Sequence, residues 1–183
     1  MSIYLDEETT SLHADIGILV CIGIIAPDGE MKFFFADNPS REPEIIKKAV
    51  DFLKKFPNGK IYVWNTSFDV PFLITRAIKH GIDASCIYDL KFVDLCKFAR
   101  ENLRLASNKL DEVVKFLELD KNLKKTGKDV HKLYLDFLNG NEEGKDEIIE
   151  HCKDDLLRLK EIHERIKPYV EKWEKLAFRN NFS

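Results

Sequence analysis

Two carboxylates near the start of the chain, Asp6 and Glu8 in the run Tyr4-Leu5-Asp6-Glu7-Glu8-Thr9-Thr10, are the first residues whose types and spacing suggest chemistry. Successive side chains of a strand point to opposite faces, so residues two apart project together while Ile3 and Leu5 project the other way. Two anions side by side repel unless a cation lies between them, and a hard divalent metal is their natural counterpart. A second carboxylate stands in Asn65-Thr66-Ser67-Phe68-Asp69-Val70-Pro71-Phe72-Leu73, where a strand gives way to a helix. Asp69 in that first turn is suited to a metal and equally to a capping role, because unpaired N–H groups and the helix dipole favour an anion there. The third group is Glu150-His151-Cys152-Lys153-Asp154-Asp155. His151 and Asp155 are four apart and share one helical face, either as a base beside a ligand or as a solvated polar pair.

The elements that must position these groups follow from pattern. The apolar runs Ile16 to Ala26 and Met31 to Ala36 flank the turn Pro27-Asp28-Gly29, so residues 2–36 read as three strands of a meander. Ser40 is a suitable N-cap, with Pro43 in the first turn, for a helix carrying Ile45, Ile46, Ala49, Leu53 and Phe56. Ile61 to Trp64 forms a fourth strand, Ser67 to His80 a helix closed by Gly81, and Cys86 to Leu90 a short fifth strand. Helical spacing dominates thereafter, in Val93 to Leu103, Lys109 to Leu119, Val130 to Leu138 and Lys145 to Val170. The tail, residues 171–183, repeats apolar residues at helical spacing and extends the last helix toward the domain or another subunit. The whole is expected to be one α/β domain over residues 1–183, three layers with a mixed five-stranded sheet flanked by helices and a helical C-terminal half.

Composition narrows the function classes. With 183 residues and 44% hydrophobic content the chain can bury one sizeable core, and a net charge of -3 requires that any polyanion be held by local basic groups and metal ions. The run Ile16 to Ala26 is about half the length a bilayer demands. Four scattered cysteines and no N-terminal signal segment favour a reduced, cytoplasmic protein. Absent glutamine and abundant Lys, Glu and Ile match the trend of heat-adapted proteins.

Taken jointly, the three stretches resemble the motifs of the DEDD superfamily of 3′-5′ exonucleases on a ribonuclease H-like fold. Asp6-x-Glu8-Thr9-Thr10 is similar to the first motif. Asn65-x-x-Phe68-Asp69-x-Pro71-Phe72-Leu73 is similar to the second in family B polymerase proofreading domains, and His151-x-x-x-Asp155 stands where the third belongs. Val93 to Arg100 with Leu110 to Leu117 is similar to the helical stretch between them in prokaryotic ribonuclease H-like exonucleases. The resemblance implies a strand order of 3-2-1-4-5. It implies that Asp6, Glu8, Asp69 and Asp155 hold two divalent cations, Mg2+ or Mn2+, roughly 3.5 to 4 Å apart. It also implies that His151 takes a proton from the attacking water, a role suited to imidazole with its ordinary pKa of about 6.5. The expected substrate is single-stranded nucleic acid, DNA ahead of RNA, and the expected product a nucleoside 5′-monophosphate. Thr9, Thr10 and Leu12 would meet the terminal nucleotide, with Asn65 and Phe68 at the scissile region and Lys124 and Lys125, in a lysine-rich stretch, as phosphate contacts.

The chain departs from the family pattern in three places. Its histidine has the four-residue spacing usual for a tyrosine, Ser11 replaces a glycine, and Glu7 occupies a normally apolar position, read here as a solvated strand end. Asp154 lies three from His151, but the spacing and the following Leu156 favour Asp155.

Overall fold

The computed structural model describes residues 1–119 and 129–180. Five strands, β1 (Ser2–Thr9), β2 (Leu19–Ile25), β3 (Met31–Phe35), β4 (Lys60–Val63) and β5 (Lys91–Asp94), form one sheet in the order β3-β2-β1-β4-β5. The meander pairs β1 with β2 and β2 with β3 antiparallel, whereas β4 joins β1, and β5 joins β4, in parallel. The parallel joins follow from the helices between strands, since a chain must cross over the sheet to re-enter it in the same direction. Gly29 at the β2–β3 turn has φ +90, a conformation glycine adopts without steric cost.

The helices are α1 (Glu42–Leu53), α2 (Thr66–Lys79), α3 (Leu95–Asn102), α4 (Leu110–Phe116), α5 (Val130–Leu138) and α6 (Glu143–Asn180). They divide between the two sheet faces according to the side-chain parity of β1. Ile3 and Leu5 belong to the apolar layer with Ile45, Ile46, Leu53 of α1 and Phe72, Leu73 of α2. Tyr4, one residue out of phase, belongs to the other layer with Phe98, Val113, Tyr134, Cys152, Leu156 and Ile162. Asp6 and Glu8 share the parity of Tyr4, so β1 turns them toward the face covered by α6. Each layer contributes in proportion to the apolar area it removes from water, about 25 cal/mol per Å².

Three expectations need correction. Cys86 to Leu90 is not a strand: residues Ser85–Asp89 form a 3-10 turn, and the fifth strand is the next four residues. The 3-10 turn needs no partner, whereas Lys91–Asp94 is extended because β4 offers it an open edge. Ser40 is not the cap of α1. It sits in a 3-10 turn capped by Asn38, whose Oδ1 accepts from the Ser40 N–H at 3.0 Å. Glu7 does not lie on a solvated strand end; it is 7% exposed. Its parity is that of Ile3 and Leu5, and the strand turns it inward with them.

The last helix continues past Val170 and docks on its own chain. Trp173 packs edge-on against Phe98 at 5.6 Å and its indole N–H donates to Glu101 at 2.9 Å. Among the described residues, no helix is long and apolar enough to cross a membrane.

Candidate metal centre

Three elements bring acidic side chains to one end of the sheet. β1 supplies Asp6 and Glu8 immediately before a register shift against β2, between Glu8 and Thr9, that bends the strand end. α6 crosses above them, and its approach is set by Gly23: a Cβ there would collide with Cys152 Sγ and Leu156 Cδ1. Close approach puts the helix face bearing His151 and Asp155 over the strand. The ligand atoms of Glu8, His151 and Asp155 lie within 4.8 Å of one another, as do those of Asp6, Glu8 and Cys152, so two groups share Glu8. His151 Nδ1 is 2.7 Å from Glu8 Oε1 and 3.8 Å from Asp155 Oδ2.

Asp69 enters from the other side, in the first turn of α2, and is buried. It belongs to neither close group, but it is electrostatically coupled to both Asp6 and Glu8. Its helix starts from a strained position, since Asn65 has φ 100 and ψ 75, the left-handed region that asparagine tolerates better than most residues. Asp94 stabilises that start: its carboxylate accepts from the Thr66 N–H at 3.0 Å and the Thr66 hydroxyl at 2.9 Å.

The charges are mutually unfavourable. Burial lifts Asp6 well above the usual carboxylate range, and Glu8, Asp155 and Asp69 raise it further. Burial also pushes Asp69 up to about 8, helped by Asp94 and Glu8 and opposed by a hydrogen bond from its own backbone. Asp155 is raised to about 6 by burial and Glu8, against the pull of His151 and Arg158. Asp6 Oδ2 is buried without a hydrogen-bond partner. Hard oxygen donors gathered from separate elements and held in low dielectric, with Arg158 and His151 offsetting the charge on the Asp155 and Glu8 side alone, fit divalent cations.

Arg158, Asp111 and Cys152 join this centre although sequence reasoning did not single them out. Arg158 is buried one turn beyond Asp155, donates to it at 3.2 Å, and is anchored by Asp111 of α4 at 2.8 Å. Their i,i+3 spacing was a usable signal; the Asp111 contact, from a distant helix, was not. Cys152 lies in the apolar layer, and its sulfur faces Asp6 and Glu8. Asp154 is buried and absent from both close groups. Glu7 projects to the opposite face, where both its oxygens lack a hydrogen-bond partner; burial and then Asp69 raise its pKa strongly.

The residues expected to meet substrate surround this cluster unevenly. The Thr9 hydroxyl donates to Ser11 O at 2.8 Å and the Thr10 hydroxyl accepts from the Ile18 N–H at 3.1 Å, so both close the loop that follows β1. Leu12, at 79% exposed, stands on that loop facing solvent. Asn65 Oδ1 accepts from the Ser67 hydroxyl at 2.6 Å and from Arg100 at 3.3 Å. Phe68 is half-buried against Phe72 at 5.5 Å. Lys124 and Lys125 fall outside the described residues.

The model of the RNase H superfamily matches residues 3–167. No curated protein matches the chain. Among solved structures, the family B DNA polymerase from the hyperthermophilic archaeon Pyrobaculum calidifontis is similar with a TM-score of 0.75 and 20% identity, over 92% of this chain and 24% of that one. Escherichia coli exonuclease I with single-stranded DNA and zinc gives a TM-score of 0.58 at 14% identity, over 94% of this chain and 42% of that one. A product-bound exonuclease I gives 0.60 at 13% identity, over 94% and 45%. The chain thus spans a quarter to less than half of these proteins, and at such identities the likeness establishes the fold alone.

Proposed function

The chain belongs to the RNase H superfamily, and on that premise we propose that it is a metal-dependent 3′-5′ exonuclease of the DEDD type. Its substrate is single-stranded DNA or a frayed 3′ end, and its product a nucleoside 5′-monophosphate. The observation that carries the reading is the pair of close groups that share Glu8, one with His151 and Asp155 and the other with Asp6 and Cys152, with the buried Asp69 linked to Asp6 and Glu8 electrostatically from α2. A site that only bound nucleic acid would gain nothing from crowding anions in low dielectric.

Asp6, Glu8, Asp69 and Asp155 would hold two divalent cations, Mg2+ or Mn2+. The chemistry such ions supply is Lewis acidity, which lowers the pKa of water and offsets charge on the scissile phosphate and the departing 3′ oxygen. His151 accepts the proton of the attacking water, and Glu8, 2.7 Å from Nδ1, stabilises the imidazolium that forms. Arg158 fixes the rotamer of Asp155 and supplies a permanent positive charge beside it. Leu12 faces the terminal base, Thr9 and Thr10 shape the loop that carries Leu12, and Asn65 and Phe68 flank the scissile region. Lys124 and Lys125 contact the phosphate backbone; their double alanine variant should lower the salt dependence of binding. Four free cysteines are in keeping with a reducing cytoplasm.

Incubation of 5′-labelled DNA and RNA oligomers tests the proposal. Shortening from the 3′ end in Mg2+ or Mn2+ and none in EDTA is the expected outcome, with DNA degraded faster. Faster loss of RNA would make the enzyme an exoribonuclease, and oligomers left intact in every buffer would refute the nuclease reading.

A further inference from the structure

Behind the loop that leaves β1 lies an ion pair with almost no contact with solvent. Glu42, the first residue of α1, is 0% exposed, and Arg76, in the last turn of α2, is 1% exposed. Arg76 Nε donates to Glu42 Oε1 at 2.7 Å, and a second guanidinium nitrogen donates to Glu42 Oε2. His80 adds a contact to that same Oε2 at 2.6 Å. Burial alone would raise the Glu42 pKa, but Arg76, His80 and the Leu19 N–H outweigh it and hold the carboxyl below its ordinary value.

The remaining valences of this pair go to the backbone of the loop between β1 and β2. Arg76 donates to Ala14 O at 2.9 Å, near the loop's middle, and Glu42 Oε1 accepts from the Leu19 N–H at 2.8 Å, where the loop re-enters the sheet. The loop is also closed at its neck, by Thr10 N–H to Ile18 O at 3.1 Å and Ile18 N–H to the Thr10 hydroxyl at 3.1 Å. Within it Gly17 N–H donates to His13 O at 2.8 Å, and a Cβ on Gly17 would come within 2.8 Å of Ser11 Cβ. A short loop fixed at neck, middle and exit presents two large apolar side chains to solvent, Leu12 at 79% and Ile16 at 75% exposed.

A buried ion pair is a poor device for stability, because desolvation cancels most of the attraction and apolar residues of similar size often serve as well. What apolar residues cannot do is hold a chosen carbonyl and a chosen N–H at fixed positions. We propose that Glu42 and Arg76 are positioning residues that brace the 10–18 loop, so that Leu12 and Ile16 together form an apolar platform for the 3′-terminal base of a single strand. The inference rests on the exonuclease reading, and it adds Ile16 to the substrate contacts. Apolar contact with a base is indifferent to sequence, which suits an enzyme that must accept every terminal nucleotide.

The double variant Glu42→Met/Arg76→Met keeps the volume of the pair and removes its directional bonds. The folded chain should survive with its melting temperature little changed, while amides of residues 10–18 exchange hydrogen faster and those of β4 and α6 do not. KM for a dT oligomer should rise about tenfold, with kcat falling less, since a displaced loop weakens placement of the end more than the chemistry. Arg76→Lys retains a charge but not the fork, and should lie between the wild type and the double variant. Ile16→Ala should raise KM while leaving loop exchange unchanged. Unchanged exchange in residues 10–18 together with an unchanged KM in the double variant would overturn the inference. So would loss of the folded circular-dichroism signal in both pair variants, which would assign the pair to stability. A wild-type protein that degrades no oligomer refutes the exonuclease reading instead, and the exchange measurement still reports whether the brace exists.

Discussion

Replacing Asp69 by asparagine should make the metal-free protein more stable while removing its activity. The buried Asp69 carboxyl titrates at about 8, against an ordinary value of 3.8. The folded-state pKa is raised, so between those two values the folded chain holds a proton that the unfolded chain has released, and stability falls as pH rises through the interval. At pH 7 the unfolded chain gains from ionisation over about 3 pH units that the folded chain cannot share, and at about 1.4 kcal/mol per unit this costs the fold about 4 kcal/mol. Asparagine escapes the cost in both states. Its amide is buried in place of the carboxyl and must find its own partners, so about half the gain, about 2 kcal/mol, should be realised. For a chain of this size that corresponds to a rise of about 4 to 8 °C in melting temperature. Scanning calorimetry in EDTA at pH 7 reads it directly. In Mg2+ the order should narrow or invert, because ion binding stabilises the wild type more than the variant. A variant that melts at or below the wild type in EDTA would refute the claim that burial and the neighbouring Asp94 and Glu8 hold the Asp69 carboxyl at a cost to the fold.

Other perturbations follow from the same geometry. The melting temperature of the metal-free wild type should fall from pH 5 to pH 8, since Asp155 at about 6 and Asp69 at about 8 both have raised folded-state values, and millimolar Mn2+ should flatten the profile. Glu7→Met removes a buried carboxyl whose oxygens lack hydrogen-bond partners. It should add about 1 to 3 kcal/mol in urea unfolding with turnover retained; lost turnover would place Glu7 in the working site. Gly23→Ala forces α6 off the sheet at Cys152 and Leu156. That overpacking should cost about 1 to 3 kcal/mol, and kcat should fall more than tenfold because His151 and Asp155 move with the helix.

What the sequence revealed depended on whether local periodicity carried the information. The meander was legible because the apolar runs are interrupted by Pro27-Asp28-Gly29, and the facing of Asp6 and Glu8 followed from strand parity alone. The same parity buries Glu7, and reading its charge ahead of its phase put it in solvent. β5 was misplaced because Ile87 and Leu90 look like a strand, whereas four residues beginning with Lys91 become one only by pairing with β4. His151 and Asp155 share a face by i,i+4 spacing, a local fact. The contacts of Arg158 with Asp111, of Cys152 with the Asp6 carbonyl, and of Arg76 with Glu42 join residues 34 to 146 positions apart. Nothing within a helix or a strand encodes them; they appear only once the layers are packed.

In the proposed enzyme Asp6, Glu8, Asp69 and Asp155 form one cation-holding centre. Counting bound Mn2+ by electron paramagnetic resonance, with and without a single-stranded oligomer, tests that most directly. Wild-type protein should take up two ions per chain when the oligomer is present, and Asp69→Asn and Asp155→Asn should each take up fewer. Uptake that is absent in the wild type, or equal in all three proteins, would contradict it.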